Sequence, residues 1–230
     1  MMYNECREQA LGAEGRGFKS HHPECFLHTG SATMDLILAS SSPRRREILS
    51  FLGLSFRVVP PKVEENLRGD PITVARALSR RKALSVWRKH REALVIGADT
   101  LVFVGKKAIG KPSSEEEAFR ILSFLSGRWH RVVTAVSFVS KGFRKTIHDT
   151  ARVRFRRLSE EEILAYIATG EPMDKAGAYG VQGYGASLVE RIEGNFYTVM
   201  GLPVVRVYGV LRELMSSEQR SRRETPFRLP

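Results

Sequence analysis

The stretch that most constrains this chain is Leu36–Arg46, LILASSSPRRR, where four apolar residues break into a serine cluster and then three consecutive arginines. Leu36–Ala39 reads as a short buried strand, apolar on both faces and bounded by turn-formers. Ser42 followed by Pro43 reads as a helix start: Ser caps the first amides, and Pro needs no amide partner at the first helical position. The helix is expected over Arg44–Leu52 and stops at Gly53, a residue suited to the left-handed position after a helix. Hydroxyls, guanidiniums, free amides and the positive helix end therefore converge where strand hands over to helix, which is the chemistry of a phosphate site. A capped surface helix with solvated arginines fits the same pattern, so this stretch alone leaves both readings open.

At 230 residues, the chain can bury a full core as one large or two small domains. No apolar run approaches the length needed to span a bilayer, so no membrane partner is expected. Cys6 and Cys25 are the only cysteines and both precede the first strand. They cannot frame a disulfide-built secreted fold, and no secretory signal is evident, so a reducing cytoplasm is expected. The net charge of +12 favours anionic partners, either nucleic acid or nucleotides. No RNP-type aromatic motif, zinc-finger spacing or basic-heptad pattern is present, and charge alone does not choose between nucleic acid and nucleotides. Part of the basic excess also lies in Arg220–Arg223.

Residues 1–33 are expected to be an extension without periodicity, and Met34, just before the strand, is a candidate translation start. His21, His22, Cys25 and His28 match no standard zinc spacing. Residues 34–215 read as the folded domain and 216–230 as a basic tail. Within the domain, Ser55–Val59 predicts a strand, and Asp70–Pro71 opens a helix to about His90. Ala93–Ala98 predicts a buried strand ending at Asp99–Thr100, with a carboxylate at its C-terminal mouth. Leu101–Val104 and Lys107–Ile109 predict a hairpin, and Ser113 with Glu116 a capping box. Trp129–Ser140 and Phe143–Phe155 predict two long antiparallel strands. Ser159 with Glu162 predicts a second capping box, with its helix ending at Gly170. Glu171–Gly185, EPMDKAGAYGVQGYG, predicts a loop of demanding backbone geometry that holds a ligand. Ala186–Ile192 predicts a last strand, and Tyr197–Met215 a closing helical region broken at Gly201–Pro203.

Gly105–Lys111, GKKAIGK, matches the first seven positions of a Walker A loop. Pro112 follows where that loop needs a hydroxyl for magnesium, so the P-loop reading fails. Lys111 remains a candidate phosphate contact. The remaining constellation is Ser42, Arg44 and Arg45; Glu64 and Glu65; Lys82; Asp99 and Thr100; Lys111; and Gln182. Several cations and a carboxylate suit polyphosphate hydrolysis, in which cations offset charge on the phosphoryl oxygens and a carboxylate holds a metal or takes a proton. Spacing alone does not bring these loops together.

The segments LILASSSPRRREIL, RKA (Arg81–Ala83), GADT (Gly97–Thr100), GKP (Gly110–Pro112), LSGRWH (Leu125–His130), TAVS (Thr134–Ser137), EPMDKAGAYGVQGYG and MGLP (Met200–Pro203) together resemble the Maf family of nucleoside triphosphate pyrophosphatases. The resemblance spans Leu36–Leu214. It implies an elongated α/β fold like that of the inosine triphosphate pyrophosphatases: a mixed sheet flanked by helices, in two lobes with a nucleotide cleft between them. It implies hydrolysis of a nucleoside triphosphate to the monophosphate and pyrophosphate with Mg2+ or Mn2+, by a homodimer. Carried onto this chain, Asp99 is the proton acceptor, and Asp99 with Glu65 (or Glu64) holds the metal. Ser42, Arg45, Lys82 and Lys111 match polyphosphate-binding positions; Arg44, Thr100 and Gln182 match positions of base choice. Thr after the catalytic Asp matches the branch acting on dTTP and UTP, and a Gln amide offers the donor and acceptor that the O4/N3–H edge of thymine or uracil requires. The family has also been linked to septum formation, so a nucleotide- or DNA-binding regulator is the competing expectation.

Overall fold

The computed structural model describes residues 35–65 and 69–223, with side chains to residue 216. The His/Cys group, the candidate start and the 1–33 extension lie outside the described residues. The chain runs β1 (Leu36–Ala39), α1 (Pro43–Ser50), β2 (Arg57–Val58), α2 (Pro71–Trp87), β3 (Leu94–Val104) and β4 (Lys107–Ile109). It continues through α3 (Glu115–Leu125), β5 (Trp129–Ser140), β6 (Phe143–Phe155) and α4 (Glu160–Ala168). Three 3-10 turns, Glu171–Asp174, Ala176–Ala178 and Gly183–Leu188, lead to β7 (Val189–Glu193), α5 (Phe196–Met200) and α6 (Val204–Arg223). No helix among the described residues is long and apolar enough to cross a membrane.

The strands form one mixed sheet in the order β2-β1-β3-β5-β6-β7, with β4 also on β3. β1 lies parallel to both β2 and β3, and every later pairing is antiparallel. All four residues of β1 are buried. Leu36 and Leu38 pack with Ile48, Leu49, Val207 and Leu211 under α1 and α6. Ile37 and Ala39 meet Ala83, Val86 and Trp87 of α2 on the opposite face. Farther along the same long strands, Val102, Val132 and Val153 pack with Leu122, Leu125, Ile163 and Ile167 of α3 and α4. The side-chain period of two places these on the α1/α6 face. One sheet face thus carries two separate helical layers, and the space between them is a cleft between two lobes.

Several boundaries differ from the sequence reading. β3 does not stop at Ala98 but runs on to Val104, so Asp99 and Thr100 lie mid-strand rather than at a strand end. Their surroundings are still those of an edge. β1 pairs β3 only as far as Ala39↔Gly97, and β4 joins the same side of β3 only from Val102↔Ile109. The expected strand at residues 55–59 shrinks to Arg57–Val58, because it has only the four-residue β1 to pair with. Ser42 has extended backbone angles at the N-cap, but its side chain caps nothing; instead its amide donates to Ser40 Oγ at 3.1 Å. The cap of α3 is Ser114, which accepts from the Glu117 amide, while the Ser113 amide donates to the Glu117 carboxylate. The last strand begins at Val189, since a 3-10 turn takes Gly183–Leu188 and the ladder to β6 is irregular at Arg154/Phe155. α6 continues to Arg223, so the first residues of the expected tail are helical. The 159–162 capping box and the long β5–β6 hairpin form as read. The Walker-like stretch is the β3–β4 hairpin turn, with Gly105 left-handed at φ +59°.

Candidate active site

Successive strand residues point to opposite faces, and Asp99 and Thr100 use this to reach two helices at once. Asp99, 4% exposed, accepts from Lys82 Nζ of α2 at 2.6 Å through Oδ1. The same ammonium lies 2.7 Å from Glu65 Oε1. Thr100, on the other face, accepts from Arg45 Nη2 of α1 at 2.9 Å. Arg45 Nε also donates to the Gly201 carbonyl at 2.9 Å, and Nη1 donates to Ser40 Oγ at 3.4 Å. The guanidinium is therefore held from three directions, which fixes its plane.

These groups border a cavity of about 470 Å3. Ser42, Arg44, Arg45, Glu65, Lys82, Asp99, Thr100, Lys111 and Gln182 all line it. Glu64 is exposed and is not among the lining residues. The first turn of α1 faces the cavity through Pro43–Arg45, and no side chain caps its amides, which leaves them free for an anion. Lys111 reaches the cavity directly before Pro112, as a single cation and not as part of a phosphate-wrapping loop.

Electrostatics divides the two carboxylates. Burial raises the pKa of Asp99, against the opposing pull of Lys82 and Arg45. For Glu65, partial burial is the largest single influence and pushes upward. The Lys82 bond and charge, with Lys111 and Arg45, outweigh it and hold the carboxyl below its usual value. Burial lowers the Arg45 pKa, opposed by Asp99, but a guanidinium stays charged. Among the described residues, Asp99 Oδ2 is buried without a hydrogen-bond partner, and so is Gln182 Oε1. Buried polar atoms left unpaired are uncommon, and a water, an ion or a ligand completes their bonding.

A Maf-like protein family model matches residues 35–214. The chain belongs to the Maf-like family. It is 61% identical over 182 residues to a dTTP/UTP pyrophosphatase of Aquifex aeolicus, covering 79% of this chain and 96% of that protein. A dTTP/UTP pyrophosphatase of Dictyoglomus thermophilum is 47% identical over 185 residues, 78% of this chain and 96% of the relative. One of Thermotoga maritima is 48% identical over 182 residues, 78% of this chain and 89% of the relative.

In this Maf-like chain the site includes residues that the sequence reading passed over. Thr134 of β5 is fully buried and donates to the Thr198 carbonyl at 2.7 Å. Its proton is thus committed, so Thr100 must donate its own across the 2.9 Å contact between the two hydroxyls. The result is a directed chain from Arg45 through Thr100 and Thr134 to the backbone of α5. The signal was a Thr inside the apolar run VVTAV, where a hydroxyl requires a partner. Lys175 and Tyr179 also line the cavity, and Tyr179 Oη lies 2.8 Å from His130 Nε2. Burial pushes His130 down to about 4, so its ring is neutral at pH 7.

Thr134→Val, close in shape but without the hydroxyl, will strand the Thr198 carbonyl and the Thr100 proton. The expected loss is about 1–3 kcal/mol of stability, with Thr134→Ser restoring most of it. Thermal melts of the two variants check this, and equal midpoints for Val and Ser would refute the directed chain.

Proposed function

We propose that this protein is a nucleoside triphosphate pyrophosphatase that hydrolyses dTTP and UTP to the monophosphate and pyrophosphate. The observation that carries the reading is Asp99: a buried carboxylate with one oxygen fixed by Lys82 and the other unpaired, in a cavity ringed by Arg44, Arg45, Lys82 and Lys111. The names of the relatives above support the same substrate class.

In this reading the triphosphate lies against the free amides of α1, the Ser42 hydroxyl, Arg45, Lys82 and Lys111. Asp99 Oδ2 takes a proton from a water whose oxygen attacks the α-phosphorus. The bond from that phosphorus to the bridging oxygen breaks, and pyrophosphate departs with its charge offset by the cations. The raised pKa of Asp99 suits a base, which must hold its proton long enough for the reaction to proceed. Glu65, rather than Glu64, is the second acidic group.

A divalent ion of the Mg2+ or Mn2+ kind fits the oxygens present. The carboxylates of Asp99 and Glu65, both bonded to the Lys82 ammonium, would hold it. Among the described residues, no three His, Cys, Asp or Glu side chains gather, so such an ion would rely on water and substrate phosphate oxygens, as Mg2+ commonly does. Bound there, it would neutralise phosphoryl charge.

Base choice falls to Gln182, Thr100 and Arg44, which line the same cavity. Gln182 offers both an acceptor and two donors, and its unpaired Oε1 suits the N3–H of uracil or thymine. The Thr100 hydroxyl is occupied by Arg45 and Thr134, so its contribution passes through Arg45. Arg44, beside Arg45, is the third base-choice position. A cytoplasmic homodimer completes the proposal.

Pyrophosphate release from dTTP, UTP, CTP, GTP and 7-methyl-GTP, with and without Mg2+ or Mn2+, tests it. The expected result is metal-dependent release from dTTP and UTP. Release mainly from 7-methyl-GTP would keep the hydrolysis and overturn the base assignment. Silence from all five would remove the enzyme reading.

A further inference from the structure

The Gln182 loop is built around a carboxylate that does not touch the cavity. Glu171 follows the left-handed Gly170 (φ +70°). Its Oε1 accepts from Tyr166 Oη of α4 at 3.0 Å and from the Gly185 amide at 3.3 Å. Its Oε2 accepts from the Tyr184 amide at 3.0 Å. Tyr166 Oη in turn accepts from the Gly180 amide at 3.1 Å. Backbone amides on both sides of Gln182 are thus drawn onto one Tyr–Glu pair.

The glycines of this segment record how close that approach is. A Cβ on Gly180 would stand 2.8 Å from Glu171 Oε1, and one on Gly183 2.7 Å from Oε2. On Gly185 it would lie 2.2 Å from the Gly180 carbonyl oxygen and 2.7 Å from Tyr166 Oη. Gly183 is also left-handed, at φ +76°. Gly180 and Gly183 leave room for the Glu171 carboxylate, and Gly185 for the Gly180 carbonyl and the Tyr166 hydroxyl.

We propose that Glu171 is the positioning residue for base discrimination: its charge, relayed in part by Tyr166, holds residues 180–185 so that Gln182 presents its amide to the pyrimidine. This rests on the nucleotide-hydrolysis reading above. A carboxylate suits the task because both of its oxygens only accept, and every group aimed at them is a donor. Glu171→Gln turns one oxygen into an NH2 facing an N–H or O–H donor, which opens that contact while leaving Asp99, Lys82 and Arg45 in place.

The test compares wild type, Glu171→Gln, Glu171→Asp and Tyr166→Phe in the full chain. It reads kcat and KM for UTP and CTP, the Kd for UMP and CMP by calorimetry, and the thermal midpoint. For Glu171→Gln, KM for UTP and Kd for UMP should rise about tenfold, and the preference for uracil over cytosine should fall about fivefold, with kcat within about threefold of wild type. Tyr166→Phe should move the same quantities less, and it carries the test if the Glu171 variants do not fold. A fall in kcat at unchanged KM, Kd and base preference would reduce Glu171 to a fold-stabilising residue and overturn the proposal. So would variants indistinguishable from wild type. If the wild type binds UMP without hydrolysing UTP, the hydrolysis reading fails and the Kd comparison still judges Glu171. If it binds neither UMP nor CMP, both fail.

Discussion

Asp99→Asn will lower kcat for pyrophosphate release by about two to four orders of magnitude, the usual contribution of a positioned base. The change keeps the shape of the side chain. The Asn carbonyl oxygen can take the place of Oδ1 and accept from Lys82, whose second contact, to Glu65, remains. The NH2 group then stands where Oδ2 is unpaired, and it has no lone pair for a proton. Arg45, Lys111 and the first turn of α1 do not depend on this charge for their positions, so KM should change by much less than kcat. Initial rates with UTP at saturating metal check the result, with a thermal melt to confirm folding. A variant with wild-type turnover would show that another group activates the water.

Gly97→Ala should strongly destabilise the fold. A Cβ on Gly97 would stand 2.5 Å from the Ser79 carbonyl oxygen, 2.5 Å from the Ala83 amide nitrogen and 2.9 Å from Ala83 Cβ. Two of these three are backbone atoms of α2, so no side chain can swing aside and the helix itself must move. The expected destabilisation is about 3 kcal/mol, the upper part of the range for overpacking. That corresponds to a fall of about 6–12 °C in thermal midpoint for a domain of this size. The same displacement carries Lys82 away from Asp99 and should lower activity in the protein that remains folded. Chemical denaturation and the thermal midpoint measure the first effect, and kcat/KM per folded molecule the second. An alanine variant with an unchanged midpoint would mean that β3 and α2 are not held as closely as described.

The glycine of GADT therefore has a role that the four-residue motif did not reveal. As a string, the motif pointed to Asp99 and Thr100. In the fold, Gly97 sets the spacing at which Lys82 can reach Asp99. The glycines of the 171–185 loop are parallel: composition marked the loop as a ligand-holding segment, while the reason for its glycines lies in the approach of Glu171 and Tyr166.

Local signals were strongest where the chemistry is local. The all-apolar LILA, the Asp70–Pro71 helix start, the 159–162 capping box and the Lys141–Gly142 turn each determine their own geometry through side chains a few residues apart. Each formed within a residue or two of its expected position, or, for α2, ended three residues short of it. Errors arose where a distant partner sets the length of an element. Residues 55–59 became a two-residue strand because β1 is short. β3 continued past Asp99 because β4 and β5 were there to pair with it. Two misses were local instead: Ser42 caps nothing, its own amide being taken by Ser40 Oγ, and the cap of α3 is Ser114 rather than Ser113.

The amino-acid sequence by itself determined the strand-to-helix junctions, the alternation of helix and strand, and the residue types that can bind polyphosphate and move a proton. Periodicity, capping and charge act over a few residues and can be read in order. The tertiary structure decided that Glu65 and not Glu64 meets Lys82, that Arg45 is gripped by Gly201, Thr100 and Ser40, and that Thr134 and Glu171 support the site from behind. These depend on which strand edges are left open and which helices cover them, and contacts separated by up to 156 positions in the chain arise only when the sheet has assembled.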